Sequence, residues 1–148
     1  MAQSRNYQRA NYALPAYNFR VDVGGVTMNF SDVSGINMEY ETVTYRHGLS
    51  FSEGEILRKF YYDKYVPITL KRGTVVGANE LYEWLKSKDL RHLDVSLCDE
   101  AGSAVVRWSI RKAVPVKLEA PTFDAATNEV AIESLEVSAA GISVEHLE

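Results

Sequence analysis

Val105-Val106-Arg107-Trp108-Ser109-Ile110-Arg111-Lys112-Ala113-Val114-Pro115-Val116-Lys117-Leu118-Glu119 is the stretch that decides the fold class. Val106, Trp108, Ile110, Val114, Val116 and Leu118 occupy even positions, and Arg107, Ser109, Arg111 and Lys117 occupy odd ones. Successive side chains of a strand point to opposite faces, so this spacing predicts one long β-strand with an apolar and a charged side. Trp108 then stands mid-strand on the apolar side and is expected in the core, near Trp84. A small solitary domain has little use for so long a strand, because unpaired edges invite pairing with other chains. Rings that join sheets edge to edge remove those edges.

The same period of two recurs outward from this stretch. Tyr17–Val23 alternates, and Gly24-Gly25 marks a hairpin turn into Val26–Phe30. After Ser34-Gly35, Ile36, Met38 and Tyr40 share one strand face, and Asn37, Glu39 and Glu41 share the other. Val66, Ile68 and Leu70 form a strand closed at Gly73, and Leu93, Val95 and Leu97 form another, ended by a turn over Asp99–Ser103. The last strand sets Val130 and Ile132 on one parity and Leu135 and Val137 on the other. A bulge near Glu133–Ser134 would bring both pairs inward. One helix interrupts the pattern, with Asn79 as its cap and Leu81, Trp84 and Leu85 as its apolar stripe. Glu80 and Glu83 stand near its positive end, Lys86 and Lys88 near its negative end.

Arg46 to Tyr62 lose the alternation, contain Gly48 and Gly54, and read as a long loop of the kind that usually serves function. Residues 1–14 are polar and aperiodic, with Arg5 and Arg9, and read as a flexible N-terminal arm. The chain thus divides into that arm and one domain over 15–148. Its class is mainly β: a two-sheet antiparallel barrel or sandwich with one flanking α-helix.

The chain has 148 residues, enough for one domain with a real core. Sixteen basic and twenty acidic residues leave a net charge of −4, which argues against non-specific nucleic-acid binding. The imbalance is uneven, for no Lys or Arg follows Leu118. No apolar run approaches the ~18 residues of a membrane span. Cys98 is the single cysteine, which excludes an internal disulfide and a Cys-rich zinc site, and it reads as an inert, partly buried thiol. His47, His92 and His146 are not at ligand spacing, and no hydrolase elbow, P-loop, dinucleotide fingerprint or HExxH motif occurs. Glu53 and Glu55 lie among Ser and Gly and read as solvated charges, not as an acid–base pair, which needs two different environments. No catalytic residue, cofactor site or metal site is expected.

One cluster points to a partner. Arg58-Lys59-Phe60-Tyr61-Tyr62-Asp63-Lys64-Tyr65 interleaves bases with aromatics, as single-strand binders do. Tyr and Arg are also enriched where subunits meet, and the acidic chain favours that second reading. Two functions from different classes follow: a self-assembling structural protein, or a monomeric β-barrel binding module using the 46–65 loop for a nucleic acid or ligand.

Ile68-Thr69-Leu70-Lys71-Arg72-Gly73 followed by Leu81-Tyr82-Glu83-Trp84-Leu85 resembles the "itLkRG…lydWl" pattern of contractile phage tail tube proteins. Trp108-Ser109-Ile110, Ala113-Val114-Pro115, Pro121–Asp124 and Asn128–Val137 fit the same family, as do Phe19-Arg20-Val21 and Val33-Ser34-Gly35. The resemblance spans roughly residues 17–142. It is nearest to the inner tube subunit of phage-derived, including extracellular, contractile injection systems. The "LkRG" and "AvP" features fit the related tube of the type VI secretion machine less well.

This resemblance implies hexameric rings stacked into a hollow tube, with a contractile sheath outside and a baseplate and spike at one end. The lumen would conduct a protein effector or, in a phage, DNA. Contraction would drive the tube through a target membrane, so membranes are met only through the particle. Assembly would take place in the bacterial cytoplasm, as part of a released or membrane-docked phage tail-like particle. Four strands are expected to line the lumen, over about Val33–Tyr45, Tyr65–Arg72, Ala104–Leu118 and Asn128–Ser138. Their non-core parity sets Asn37, Glu39, Glu41, Thr69, Lys71, Arg107, Ser109, Arg111 and Glu129 on the channel. The long loop is expected to bridge stacked rings through Arg46, His47, Phe51, Glu53, Glu55, Arg58, Lys59, Phe60 and Tyr61.

Overall fold

The computed structural model describes residues 14–45 and 57–147, excluding the side chains of 40–45 and 57–63, and these described residues form nine strands and one helix. β1 (Phe19–Val23), β2 (Val26–Met28) and β3 (Asp32–Ser34) come first, then β4 (Tyr40–Tyr45), β5 (Leu57–Asp63) and β6 (Val66–Gly73). Helix α1 (Glu80–Ser87) precedes β7 (Arg91–Cys98), β8 (Ala104–Glu119) and β9 (Ile132–His146). Seven strands form one antiparallel sheet in the order β2-β1-β7-β8-β9-β6-β3, and β4 and β5 pair as a separate ribbon.

The connection between β2 and β3 forces this sheet to curl. These strands are its two edges, yet only Asn29-Phe30-Ser31 separates them in sequence. Laid flat, seven strands would set the edges roughly 29 Å apart at ~4.8 Å per strand spacing. Met28 to Asp32 spans at most ~14 Å of extended chain. The edges therefore meet, and the sheet closes round its own apolar face as a barrel. The two layers anticipated from the alternation are the two halves of this one sheet. Both halves feed a single core: Val21 and Val23 from β1, Leu93 and Val95 from β7, Ile68 and Leu70 from β6, and Leu135, Val137 and Ala139 from β9.

Leu81 and Trp84 of α1 close that core, spaced by one helical turn as the stripe predicts. Asn79 occupies the cap position, but its backbone (φ −112°, ψ 19°) does not aim the side chain at the first amides, and it makes no capping bond. Lys88 ends the helix in the left-handed region (φ 61°) and donates its amide to Trp84 O at 2.9 Å.

Simple alternation fails at a corner in the longest hairpin. Ile110 is opposite Ile142 and Ala113 opposite Ala139, and all four face the core although the pairs lie an odd three positions apart. Both strands change face between them, where Gly141 adopts φ +73° and the Arg111 side chain lies 3.1 Å from where a Cβ would stand. Opposite β7 the same place shows as a bulge in β8, and a second shift falls between Pro115 and Lys117. The even-position rule is thus broken twice, and Val116, expected inside, is 54% exposed. The bulge expected near Glu133–Ser134 is not there: β6 and β9 pair without a shift from Val66↔Ala139 to Gly73↔Ile132. Val130 and Ile132 stay outside instead, at 73% and 39% exposure.

Trp108 is a further correction. It is half-buried and lies outside the core that holds Trp84. Its register row runs Val21, Val95, Trp108, Val144, and exposure rises along it from 1% at Val21 to 37% at Val144. β6 stops opposite Ala139, so among the described strands Ile142–His146 has β8 alone beside it to seal that face.

Candidate assembly surfaces

Arg72 ties the helix to the barrel. It occupies the core parity of β6, in step with Ile68 and Leu70, and its side chain is 10% exposed. Its Nε donates to Glu133 Oε1 at 2.8 Å, and its Nη2 donates to Ala78 O at 2.9 Å and Glu80 Oε2 at 3.1 Å. A guanidinium at this depth requires such partners, since an unpaired buried charge costs several kcal/mol. Glu80 accepts from its own backbone amide and from Arg72, which together hold its carboxyl below the usual carboxylate range. Sequence reasoning missed Arg72, whose signal was a charged residue on an apolar parity.

The outer face of the barrel carries polar residues in register. Arg20, Arg107 and Glu145 share one register row with Ser96, which is fully buried, and Asp22, Asp94, Ser109 and Ser143 form the next. Asp22 and Asp94 are adjacent like charges, each with a local partner: Thr27 Oγ1 donates to Asp22, and His92 Nε2 lies 2.9 Å from Asp94 Oδ1. Beyond the corner, Asp32, Lys71, Ser134 and Glu119 form a row, and Ser34, Thr69, Glu136 and Lys117 another. Charges of opposite sign alternate across these strands. Four of the expected channel residues, Thr69, Lys71, Arg107 and Ser109, therefore share the outer face.

The others stand elsewhere. Asn37 and Glu39 lie in the 35–39 connection, so the strand expected over Val33–Tyr45 is two strands with a break. Gly35 (φ +92°) makes that break possible, since a Cβ there would stand 2.5 Å from Pro67 O. Asn37, Glu39 and Lys64 line an open notch with Ala140, Gly141 and Ile142, and Arg111 lies over that same Gly141. Glu41 is on β4. Glu129 lies in the connection before β9, which begins at Ile132 and not near Asn128.

The ribbon corrects the reading of Arg46–Tyr62 as one loop. Its last part is β5, paired antiparallel with β4 so that Thr42 is opposite Phe60 and Val43 opposite Lys59. Arg58, Lys59, Phe60 and Tyr61 are thus strand residues, whereas Arg46, His47, Phe51, Glu53 and Glu55 lie outside the described residues. Lys64 pins the ribbon's base, donating its amide to Glu39 O at 2.7 Å while its Nζ lies 3.4 Å from Glu39 Oε2. No other described strand pairs with it.

Among the described residues no group of three His, Cys, Asp or Glu could hold a metal, and no helix is long and apolar enough to cross a membrane. Cys98 is buried beside Ser96 O, at 3.9 Å.

A curled antiparallel sheet with one helix, a polar outer face and an unpaired ribbon defines a tail-tube-like β-barrel. Residues 15–143 match the family model of the T4-like virus tail tube protein gp19, and the chain belongs to that family. Its role is structural, as a tube subunit. No curated protein matches the sequence. A chain in the cryo-EM structure of an extracellular contractile injection system, the PVC sheath-tube complex in its extended state, is 28% identical over 96% of this chain and 97% of its own, with a TM-score of 0.84. A chain in the anti-feeding prophage cap, the AFP tube terminating cap, is 29% identical over 92% and 93%, with a TM-score of 0.81. Hcp1 from Flavobacterium johnsoniae shares the fold at 16% identity over 88% and 96%, with a TM-score of 0.53.

Proposed function

We propose that this chain builds the inner tube of a contractile injection system or contractile phage tail, as hexameric rings stacked into a hollow tube. The observation that carries this reading is the near full-length likeness to chains of the PVC sheath-tube complex, with both chains covered almost end to end. A sheath would surround the tube, and a baseplate and spike would sit at one end. The particle would be assembled in the bacterial cytoplasm and then released or docked on a membrane. The chain acts as a wall and not as an enzyme.

On this reading Asn37, Glu39, Glu41, Thr69, Lys71, Arg107, Ser109, Arg111 and Glu129 face the lumen. The polar rows of mixed sign support it, because cargo must slide past a wall that offers few apolar patches to hold it. That cargo is a protein effector or, in a phage, DNA. Arg46, His47, Phe51, Glu53, Glu55, Arg58, Lys59, Phe60 and Tyr61 then bridge successive rings. A two-stranded ribbon is marginal by itself in water, so β4 and β5 call for a neighbour to lie against.

Negative-stain imaging of the purified chain at high concentration, without sheath, tests the proposal. Rings or tubes are expected. A uniform monomer under these conditions would overturn the tube reading in favour of a solitary binding module.

A further inference from the structure

Exposed charges are sorted by sign along the axis of β6. Register fixes the two ends. Val66, Ala139, Ala113 and Arg91 share one row, whereas at the far end Gly73 is opposite Ile132 and Glu119 is opposite Ser134. Eight residues of β6 set these ends roughly 24 Å apart. Helix α1 runs the same way. Arg72 Nη2 holds Ala78 O beside its first turn, and its last turn leads to Arg91 in the Val66 row.

The exposed bases Lys64, Lys86, Lys88, Arg111 and Lys112 stand toward the Val66 end, with half-buried Arg91. Two acids on that side, Glu39 and Asp89, are already paired, with Lys64 at 3.4 Å and with Arg91 at 3.8 Å. The exposed acids Glu80, Glu83, Glu119, Asp124 and Glu129 stand toward the Gly73 end, on the first turn of α1, the last residue of β8 and the 120–131 connection. Lys71 is an exposed base on that side, and it is opposite Asp32 in register. Acids in the first turn of a helix and bases in its last turn complement the helix dipole. Glu119, Asp124, Glu129, Arg111 and Lys112 lie off the helix, so the dipole does not account for them.

We propose that this asymmetry gates tube growth by ionic strength and makes it one-way, the basic end of an arriving copy being drawn to the acidic end of the one before it. The inference rests on the tube reading and adds its regulation. Within one subunit the two ends barely sense each other, because the screening length is about 8 Å at physiological salt. Across a contact the same charges come within that length, where complementary fields raise association rates by roughly ten- to a thousandfold. Joining unlike ends of identical copies is heterologous, so each addition regenerates the same free end. A contact between like ends sets charges of one sign together, and their repulsion excludes it.

Growth of the full chain is followed by light scattering at about 0.05 M and about 0.5 M NaCl, between which the screening length drops from roughly 14 Å to roughly 4 Å. The wild type should elongate at least about tenfold faster at the lower salt. Wild-type growth that ignores salt would overturn the proposal without any variant, and would leave the tube reading standing. The triple variants Glu83→Lys/Glu119→Lys/Glu129→Lys and Lys86→Glu/Arg111→Glu/Lys112→Glu each give a copy whose two ends share a sign. Each should grow slowly at low salt and faster at high salt, the reverse of the wild type. The two triples move the net charge in opposite directions, so opposite effects on growth would make net charge the cause and overturn the proposal. Combining all six changes inverts the asymmetry and should restore wild-type growth, a recovery that accumulated folding damage would not give. A sixfold variant as slow as either triple overturns the proposal as well. Absence of rings and tubes from the wild type at both salts would instead overturn the tube reading itself.

Discussion

Trp84 and Trp108 both stand on apolar periodicities, one on a helix and one on a strand, but the barrel treats them differently. Trp84 is fully buried, donates its Nε1 to Asp89 O at 2.8 Å, and has the Arg91 guanidinium 5.2 Å from its ring centre. Trp108 is half-buried because its row leaves the closed part of the barrel before reaching β9. A tryptophan becomes core only where a second layer faces it, and periodicity reports the face of an element without reporting what lies opposite. The same contrast separates the barrel from the ribbon. Seven strands bury one another's side chains around a common core, while β4 and β5 have only each other among the described strands.

Three substitutions would break or sharpen this contrast. Trp84→Ala removes the largest fully buried side chain and should destabilise the subunit by about 3–5 kcal/mol, the cost of emptying an aromatic core site. A urea titration measures it, and a loss below 1 kcal/mol (roughly the range of an exposed site) would mean that the helix does not close the core. Arg72→Met comes next, at about 3 kcal/mol, because it strands Glu133 and frees Ala78 O at the helix entrance. The companion Arg72→Met/Glu133→Gln should recover part of that loss, and a double variant no more stable than the single one would deny the pairing. Trp108→Ala should cost least, about 1–2 kcal/mol, as expected for a half-buried residue. Equal losses for the two tryptophans would show that the β8–β9 end is sealed as tightly as the helix end.

Much of the fold was legible because the local signals agreed with one another. Gly24-Gly25, the Val66–Gly73 alternation, the Leu81/Trp84 stripe and the Asp99–Ser103 turn each specify geometry within a few residues. The polar side of β6 and of the first half of β8 followed from the same parity. What misled was the assumption that parity persists along a 16-residue strand. Gly141, on the partner strand, turns both strands together, and nothing within β8 announces it. Val130 and Ile132 misled for the opposite reason. They were assumed to seek the core, so a bulge was supplied for them, whereas they remain on the surface.

By itself, then, the order of residues determined that this is a β protein with one helix, which residues share a face within each short element, and, through Lys71-Arg72-Gly73 and its companions, the tail tube family. Those properties depend on neighbours in sequence, where backbone sterics and side-chain alternation act directly. Tertiary structure alone decided that one sheet closes through Asn29-Phe30-Ser31, that Arg72 reaches Glu133 sixty-one residues away, and that Trp108 falls outside the core. Each of these depends on which segments meet after the sheet curls, and that meeting is set by burial summed over the whole barrel, which no local window of sequence contains.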